Sequence, residues 1–262
     1  FLLSIIIVSY NSEEYIEKAI NSVLNQTINY WELIVIDGNS SDSTKNIIGK
    51  FKKYLSYFVS EEDQGIYDAM NKGINVANGT YISFLNSDDS LMPKYVEDIM
   101  YAQKQFKSPF LVSPVNIVNR KSIQIGIYYP INNHSKNYLF KCSPFPHLGM
   151  AINTTILKNM GGFDLAFKYC GDYELMIRLL NEFGYGYQCI PYSNANYTVG
   201  GKSSKIQASF EAAFLIFKKG NLYLSLKYIF RNLFIRICYK FLSKKLLKFI
   251  RENFSRNLNY KI

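Results

Sequence analysis

The chain has 262 residues, 48% hydrophobic and 19% charged, with 22 tyrosines and 19 phenylalanines. That balance excludes a disordered segment and suffices for one α/β domain with a sizeable core. Lys and Arg number 30 against 20 Asp and Glu, so the net charge of +10 asks for an acidic partner: nucleic acid, anionic lipid or a polyphosphate substrate. Four cysteines (Cys142, Cys170, Cys189, Cys238) form no Cys-x-x-Cys pair and no zinc-type spacing, so a reduced, cytosolic compartment is expected. No run is long and uncharged enough to span a bilayer, and no signal-peptide pattern precedes the first predicted strand.

Leu2 to Tyr10 is a near-continuous β-branched run, as in a strand covered on both faces of a parallel sheet. Asn11 and Ser12 are expected to cap a helix whose apolar residues Ile16, Ala19, Ile20, Val23 and Leu24 recur at helical spacing. Trp31 to Asp37 reads as a second buried strand, Thr44 to Tyr54 as a helix and Tyr57 to Ser60 as a short strand. A turn at Asp63-Gln64-Gly65 opens a helix over Ile66 to Ala77, and the strand Tyr81 to Leu85 follows. This alternation predicts a mostly parallel sheet flanked by helices. Asp37 closes a buried strand, where a carboxylate needs a partner. Asn86-Ser87-Asp88-Asp89 closes another, at the edge where open α/β sheets place ligands. Adjacent carboxylates there are costly unless a cation or donor offsets them, and such oxygen ligands suit magnesium or manganese carrying a phosphate.

Four stretches, I-I-V-S-Y-N-S, V-I-D-G-N-S-S-D-S-T, S-E-E-D-Q-G-I-Y-D-A-M-N-K-G and A-N-G-T-Y-I-S-F-L-N-S-D-D, resemble the nucleotide-binding half of family 2 glycosyltransferases, the inverting GT-A group. The resemblance implies a GT-A fold, a nucleotide-diphosphate sugar donor and a manganese or magnesium ion held at an Asp-x-Asp motif. Here that motif is Asn86-Ser87-Asp88, which makes Asp88 the implied metal ligand and leaves Asn86 to hydrogen-bond a ribose hydroxyl. Tyr10 is implied to stack on the base, with Asp37 close to it and Asp63 and Lys72 contributing to donor binding. Many relatives carry a second acid where this chain has Gly38. Read from the residues alone, Tyr10 is also an ordinary strand-end aromatic.

Pro93 to Phe106 reads as a helix with Pro93 in its first turn, Phe110 to Val115 as a strand, and Ile117 to Ile127 as a hairpin around Asn119-Arg120-Lys121. Tyr128 to Phe145 has no periodicity and is assigned to an acceptor-side loop; His147, just beyond, is a structural hydrogen-bonder or a phosphate contact. Gly161-Gly162-Phe163-Asp164 leads into Gly171-Asp172-Tyr173-Glu174, which resembles the family's second signature, where relatives show Glu-Asp. Asp172 is the implied catalytic base and Glu174 the rival acid; the plain alternative for Asp172 is a helix-capping carboxylate. Tyr187 to Ile190 and Asn194 to Val199 read as late strands, and the loop Gly200-Gly201-Lys202-Ser203-Ser204 places Lys202 over a diphosphate.

Ile206 to Phe254 reads as helical, and from Lys227 to Arg251 basic residues interleave with Ile, Leu and Phe. Such an amphipathic tail suits an anionic membrane surface, with solvated lysines on a packed helix pair as the alternative. The expected division is 1–205 for the catalytic domain (1–107 nucleotide-sugar half, 108–205 acceptor half) and 206–262 for the tail. The expected protein is a cytoplasmic, peripheral membrane enzyme with a saccharide or lipid-linked saccharide acceptor and no nucleic-acid partner. The Gln-x-x-Arg-Trp signature of processive family members is absent, Trp31 being the only Trp, so transfer of a single sugar is implied. A nucleotidyltransferase would want a Gly-rich, Arg-containing loop after the first strand, which Ser9-Tyr10-Asn11-Ser12 is not. A non-catalytic basic binder would leave the carboxylates at separate chain positions unexplained.

Overall fold

The computed structural model describes residues 2–130, 145–184, 186–199, 206–218 and 260–261. Strand β1 (Leu3–Ser9) is an interior strand of a seven-stranded sheet. Parallel to it run β2 (Trp31–Asp37), β3 (Tyr57–Ser60) and β4 (Tyr81–Asn86), so their C-terminal ends share one edge. Beyond β4, strand β9 (Met150–Asn153) is antiparallel, followed by β6 (Phe110–Val112) and β10 (Gln188–Cys189). The smaller sheet, in the order β12-β8-β7-β11-β5, contains β5 (Ser90–Leu91), β7 (Val115–Val118), β8 (Gln124–Tyr128), β11 (Ala195–Thr198) and β12 (Tyr260–Lys261).

The unbroken apolar run of β1 is explained by burial on both faces. Leu3, Ile5 and Ile7 pack against α1 (Ile16–Leu24), α2 (Thr44–Lys50) and α4 (Tyr95–Phe106). Ile6 and Val8 pack against α3 (Ile66–Val76), α5 (Thr154–Asn159) and α6 (Gly171–Phe183). Each fully buried Leu or Ile contributes about 1.5–3 kcal/mol, so this central strand anchors both layers.

Several predicted boundaries move, each for a local reason. The expected helix Thr44 to Tyr54 tightens at its end: α2 stops at Lys50, and Lys52–Tyr54 is a 3₁₀ turn closed by short-range backbone bonds. The expected strand Phe110 to Val115 is two strands in two sheets. Pro114 has no N–H to give a ladder, and the chain crosses between the sheets there. Asn11 and Ser12 do not cap α1 with their side chains; Tyr15 is the N-cap, and the backbone oxygen of Ser12 takes the N–H groups of Tyr15 and Ile16. Helix α4 begins at Tyr95, after Pro93.

Helix α7 (Ile206–Lys218), the first part of the expected tail, packs on the body, where Ala212 and Leu215 meet Phe167, Tyr173 and Ile177. The basic stretch Lys227 to Arg251 lies outside the described residues. Among the described residues, no helix is long and apolar enough to cross a membrane.

Candidate active site

Three loops leaving the parallel strands are tied into one edge. Asp37 is fully buried and accepts from Ser9 Oγ (3.0 Å), Ser40 N (2.9 Å), Ser40 Oγ (2.5 Å) and Ser60 Oγ (2.6 Å). Its carboxylate therefore binds β1, β2 and β3 together, and the partner its burial demands comes from within the fold. Asn11 accepts from Ser41 N while its own N–H donates to Ser40 Oγ, and Ser12 N donates to Thr44 Oγ1. Ser87 Oγ donates to Ser12 Oγ at 2.8 Å, which fastens the end of β4 to the end of β1.

Tyr10, 52% exposed, projects from this edge. Asp63 lies against Gly38: a Cβ at Gly38 would run into the Asp63 carboxylate, so the glycine leaves room for Asp63 arriving from another loop. Asp63 also accepts from Gly65 N at 2.9 Å. Lys72 is already committed, paired with Glu61 at 2.9 Å and Asp68 at 3.7 Å and bonded to the Glu62 carbonyl. Lys202 lies outside the described residues.

The two acids after β4 have separate fates. Asp89 is 1% exposed and accepts from Thr198 N (2.8 Å) and Asn86 Nδ2 (3.2 Å), which joins β4 to β11. Burial, and then the neighbouring Asp88, push its carboxyl up to about 7. Asp88 stays half-buried at the strand end. Asn86 Oδ1 is buried with no hydrogen-bond partner among the described residues. No cluster of three or more acid, His or Cys side chains that could hold a metal by protein groups alone occurs among the described residues. One half-buried carboxylate fits a hard cation that arrives with a diphosphate, because magnesium-type ions keep few protein ligands and complete their shell with phosphate and water.

A second acid lies across a layer of rings. Phe84, two residues before Asn86, stacks on His147 (5.5 Å between centroids) and meets Phe163 edge-on (5.1 Å). Phe163 stacks on Tyr67 of α3 (5.2 Å), and the Tyr67 hydroxyl donates to Asp172 Oδ1 at 3.1 Å. Tyr173 N donates to the same oxygen at 2.9 Å. Asp172 stands in the first turn of α6, where the helix dipole favours an anion. His147 Nε2 is buried without a partner among the described residues, and burial holds the imidazole below its usual range against the pull of Asp172.

Glu174, the rival acid, is consumed. Both its oxygens take Arg178 Nε at 2.9 Å, while the same guanidinium holds the Met160 and Gly162 carbonyls. The carboxylate of Glu211 of α7 accepts from the N–H groups of Lys168, Tyr169 and Cys170 and so fixes the chain entering α6. Nothing in the sequence marks this residue, since an isolated Glu in a helix reads as a solvated face.

The model of the family described as "Glycosyl transferase family 2" matches residues 4–155. The Escherichia coli protein UDP-Glc:alpha-D-GlcNAc-diphosphoundecaprenol beta-1,3-glucosyltransferase WfgD is 28% identical over 211 residues, 78% of this chain and 82% of that protein. The putative teichuronic acid biosynthesis glycosyltransferase TuaG of Bacillus subtilis is 37% identical over 108 residues, 40% of this chain and 41% of that one. Among solved structures, S. aureus TarS 1–349 in complex with UDP-GlcNAc superposes with a TM-score of 0.66 at 20% identity, over 82% of this chain and 65% of that one. The mannosyltransferase PcManGT from Pyrobaculum calidifontis, in complex with GDP-Man and Mn2+, gives 0.59 at 16% identity, over 97% and 79%.

Proposed function

The chain belongs to glycosyl transferase family 2 and is a glycosyltransferase of GT-A fold, and from that premise we propose that it transfers one hexose from a uridine diphosphate sugar, with inversion, to a lipid-linked saccharide. The observation that carries the reading is Asp172: Glu174 is locked to Arg178 by both oxygens, while the hydrogen bonds from Tyr67 and Tyr173 to Asp172 both fall on Oδ1. Asp172 accepts the proton of the acceptor hydroxyl as that oxygen bonds to the anomeric carbon. The bond from that carbon to the diphosphate breaks on the opposite face, and its electron pair leaves with the diphosphate. Inversion follows from one displacement, so an α-linked donor gives a β-linked product.

Asp88 would hold a manganese or magnesium ion together with the diphosphate oxygens. When bound, that ion neutralises charge gathering on the leaving group. Tyr10 stacks on the base, and Asp63 and Asn86 line the donor side. His147, kept neutral by burial, borders the acceptor side. UDP-glucose in the WfgD name and UDP-GlcNAc in the TarS complex support a uridine diphosphate hexose, and the WfgD acceptor supports a diphosphopolyprenol-linked sugar in surface-polysaccharide synthesis. The catalytic unit is residues 1–205, with α7 packed on it.

Incubating the protein with UDP-glucose or UDP-GlcNAc, a GlcNAc-diphosphopolyprenol acceptor and manganese tests the reading. A β-linked product by NMR, absent when the metal is chelated, is the expected result. An α-linked product, or nucleotide transfer from a triphosphate with release of diphosphate, overturns it.

The interleaved basic and apolar residues from Lys227 to Arg251 favour peripheral attachment to an anionic membrane, on the cytoplasmic face where nucleotide sugars are held. The protein is expected to sediment with vesicles rich in anionic lipid and to release as salt rises, because exposed charge attraction is screened. Binding that ignores salt would remove the electrostatic account.

A further inference from the structure

Tyr67 sits on α3, 105 positions before the acid it touches, and is only 7% exposed. Its phenol is held on two sides. Phe163 stacks on one face of the ring, and the α-carbon of Gly171 lies close enough that a Cβ there would stand 2.8 Å from two ring carbons. The glycine therefore opens the space through which the tyrosine reaches the acid that follows.

We propose that Tyr67 is a positioning residue for the transfer: its hydroxyl holds Asp172 Oδ1, in the room left by Gly171, so that Oδ2 is presented to the acceptor hydroxyl. The proposal rests on the reading of Asp172 as the base. The hydroxyl and Tyr173 N both converge on Oδ1, which fixes the rotation of the carboxylate about its own axis. Burial raises the Tyr67 phenol far above its usual range, with Asp172 adding to the effect, so it stays a proton donor at working pH. A rotating carboxylate would offer a correctly aimed lone pair for only a fraction of the time, and small misplacements of a catalytic group are costly.

The charged and titratable groups that face Asp172 are Tyr67 from α3, His147 from the 3₁₀ turn His147–Gly149, and Cys170 from the turn before α6. Burial pushes the Cys170 thiol up to about 12, so it stays neutral, and the buried imidazole does as well near neutral pH. Removing the phenol is therefore the cleanest perturbation.

The experiment is Tyr67→Phe, read in two ways. In protein carrying ¹³C-labelled aspartate, with Asp172→Asn identifying the resonance, loss of the donor should move the Asp172 carboxyl resonance from its parent position at one fixed pH. In the transferase assay kcat should fall about tenfold while UDP affinity stays within about twofold. A carboxyl resonance and a kcat both unchanged from the parent would overturn the proposal. Gly171→Ala, which drives a methyl into the Tyr67 ring, should reproduce both effects, and it decides the matter if Tyr67→Phe does not fold. The resonance reads the Tyr67–Asp172 pair whether or not Asp172 is the base. Normal turnover in Asp172→Asn would fell the base reading separately.

Discussion

Asp172→Asn is expected to lower turnover by about a hundred- to ten-thousand-fold, the range general-base catalysis typically contributes, with donor affinity nearly unchanged. The amide keeps the volume of the carboxylate, and its oxygen can still accept from the Tyr67 hydroxyl and Tyr173 N. What it loses is the capacity to take a proton. The comparison that gives the result meaning is Glu174→Gln. There the bidentate bond to Arg178 weakens, and with it the clamp on the Met160 and Gly162 carbonyls, so stability should fall on the order of 1–2 kcal/mol while turnover holds. The reverse pattern, with turnover surviving in the Asp172 variant and collapsing in the Glu174 variant, would move the base to Glu174.

Asp88→Ala is expected to weaken manganese-supported UDP-sugar binding by about a hundredfold or more, since even groups one contact further from a metal cost roughly 10–100-fold when removed. The fold should survive. Asp88 is half-buried, and the loop is secured by its neighbours, Ser87 through Ser12 and Asp89 through Thr198. Chelation supplies the internal control. Without metal, a carboxylate beside a diphosphate only repels it, so the variant should then bind as well as the parent or better. Isothermal titration with manganese and with chelator separates the two cases, and an Asp88 variant that matches the parent in manganese would end the metal assignment.

The end of β4 shows how differently two adjacent residues can be used. Asp88 and Asp89 are identical in type and consecutive in sequence, yet one remains at the strand end and the other is buried as an acceptor for Thr198, 109 positions away. The pairing of β5 with β11 decides this, and no local pattern encodes it. Asp37 is similar. Its place at the end of a buried strand was legible, and so was its need for a partner. That three serines from β1, the β2 loop and β3 would supply the donors was not, because Ser9 and Ser60 come from separate strands. Lys72 read as a ligand cation; its pairing with Glu61 of the preceding loop and Asp68 of α3 was not legible.

By itself the sequence determined the layers and the edge. Continuous apolar strands alternating with amphipathic helices can bury their surfaces only as a two-sided parallel sheet, and such a sheet brings Tyr10, Asp37 and Asn86-Ser87-Asp88 to a common C-terminal edge. The tertiary structure alone decided which distant group holds Asp172. Asp172 and Glu174 are two positions apart on α6, and either suits the first turn of a helix. Their neighbours divide them: Tyr67, 105 positions away, and Tyr173 N hold Asp172 by one oxygen, whereas Arg178, one turn along the same helix, takes both oxygens of Glu174. Hydrogen bonding to a carboxylate depends on distances and directions between residues far apart in the chain, and these exist only once the sheet has brought α3 beside α6.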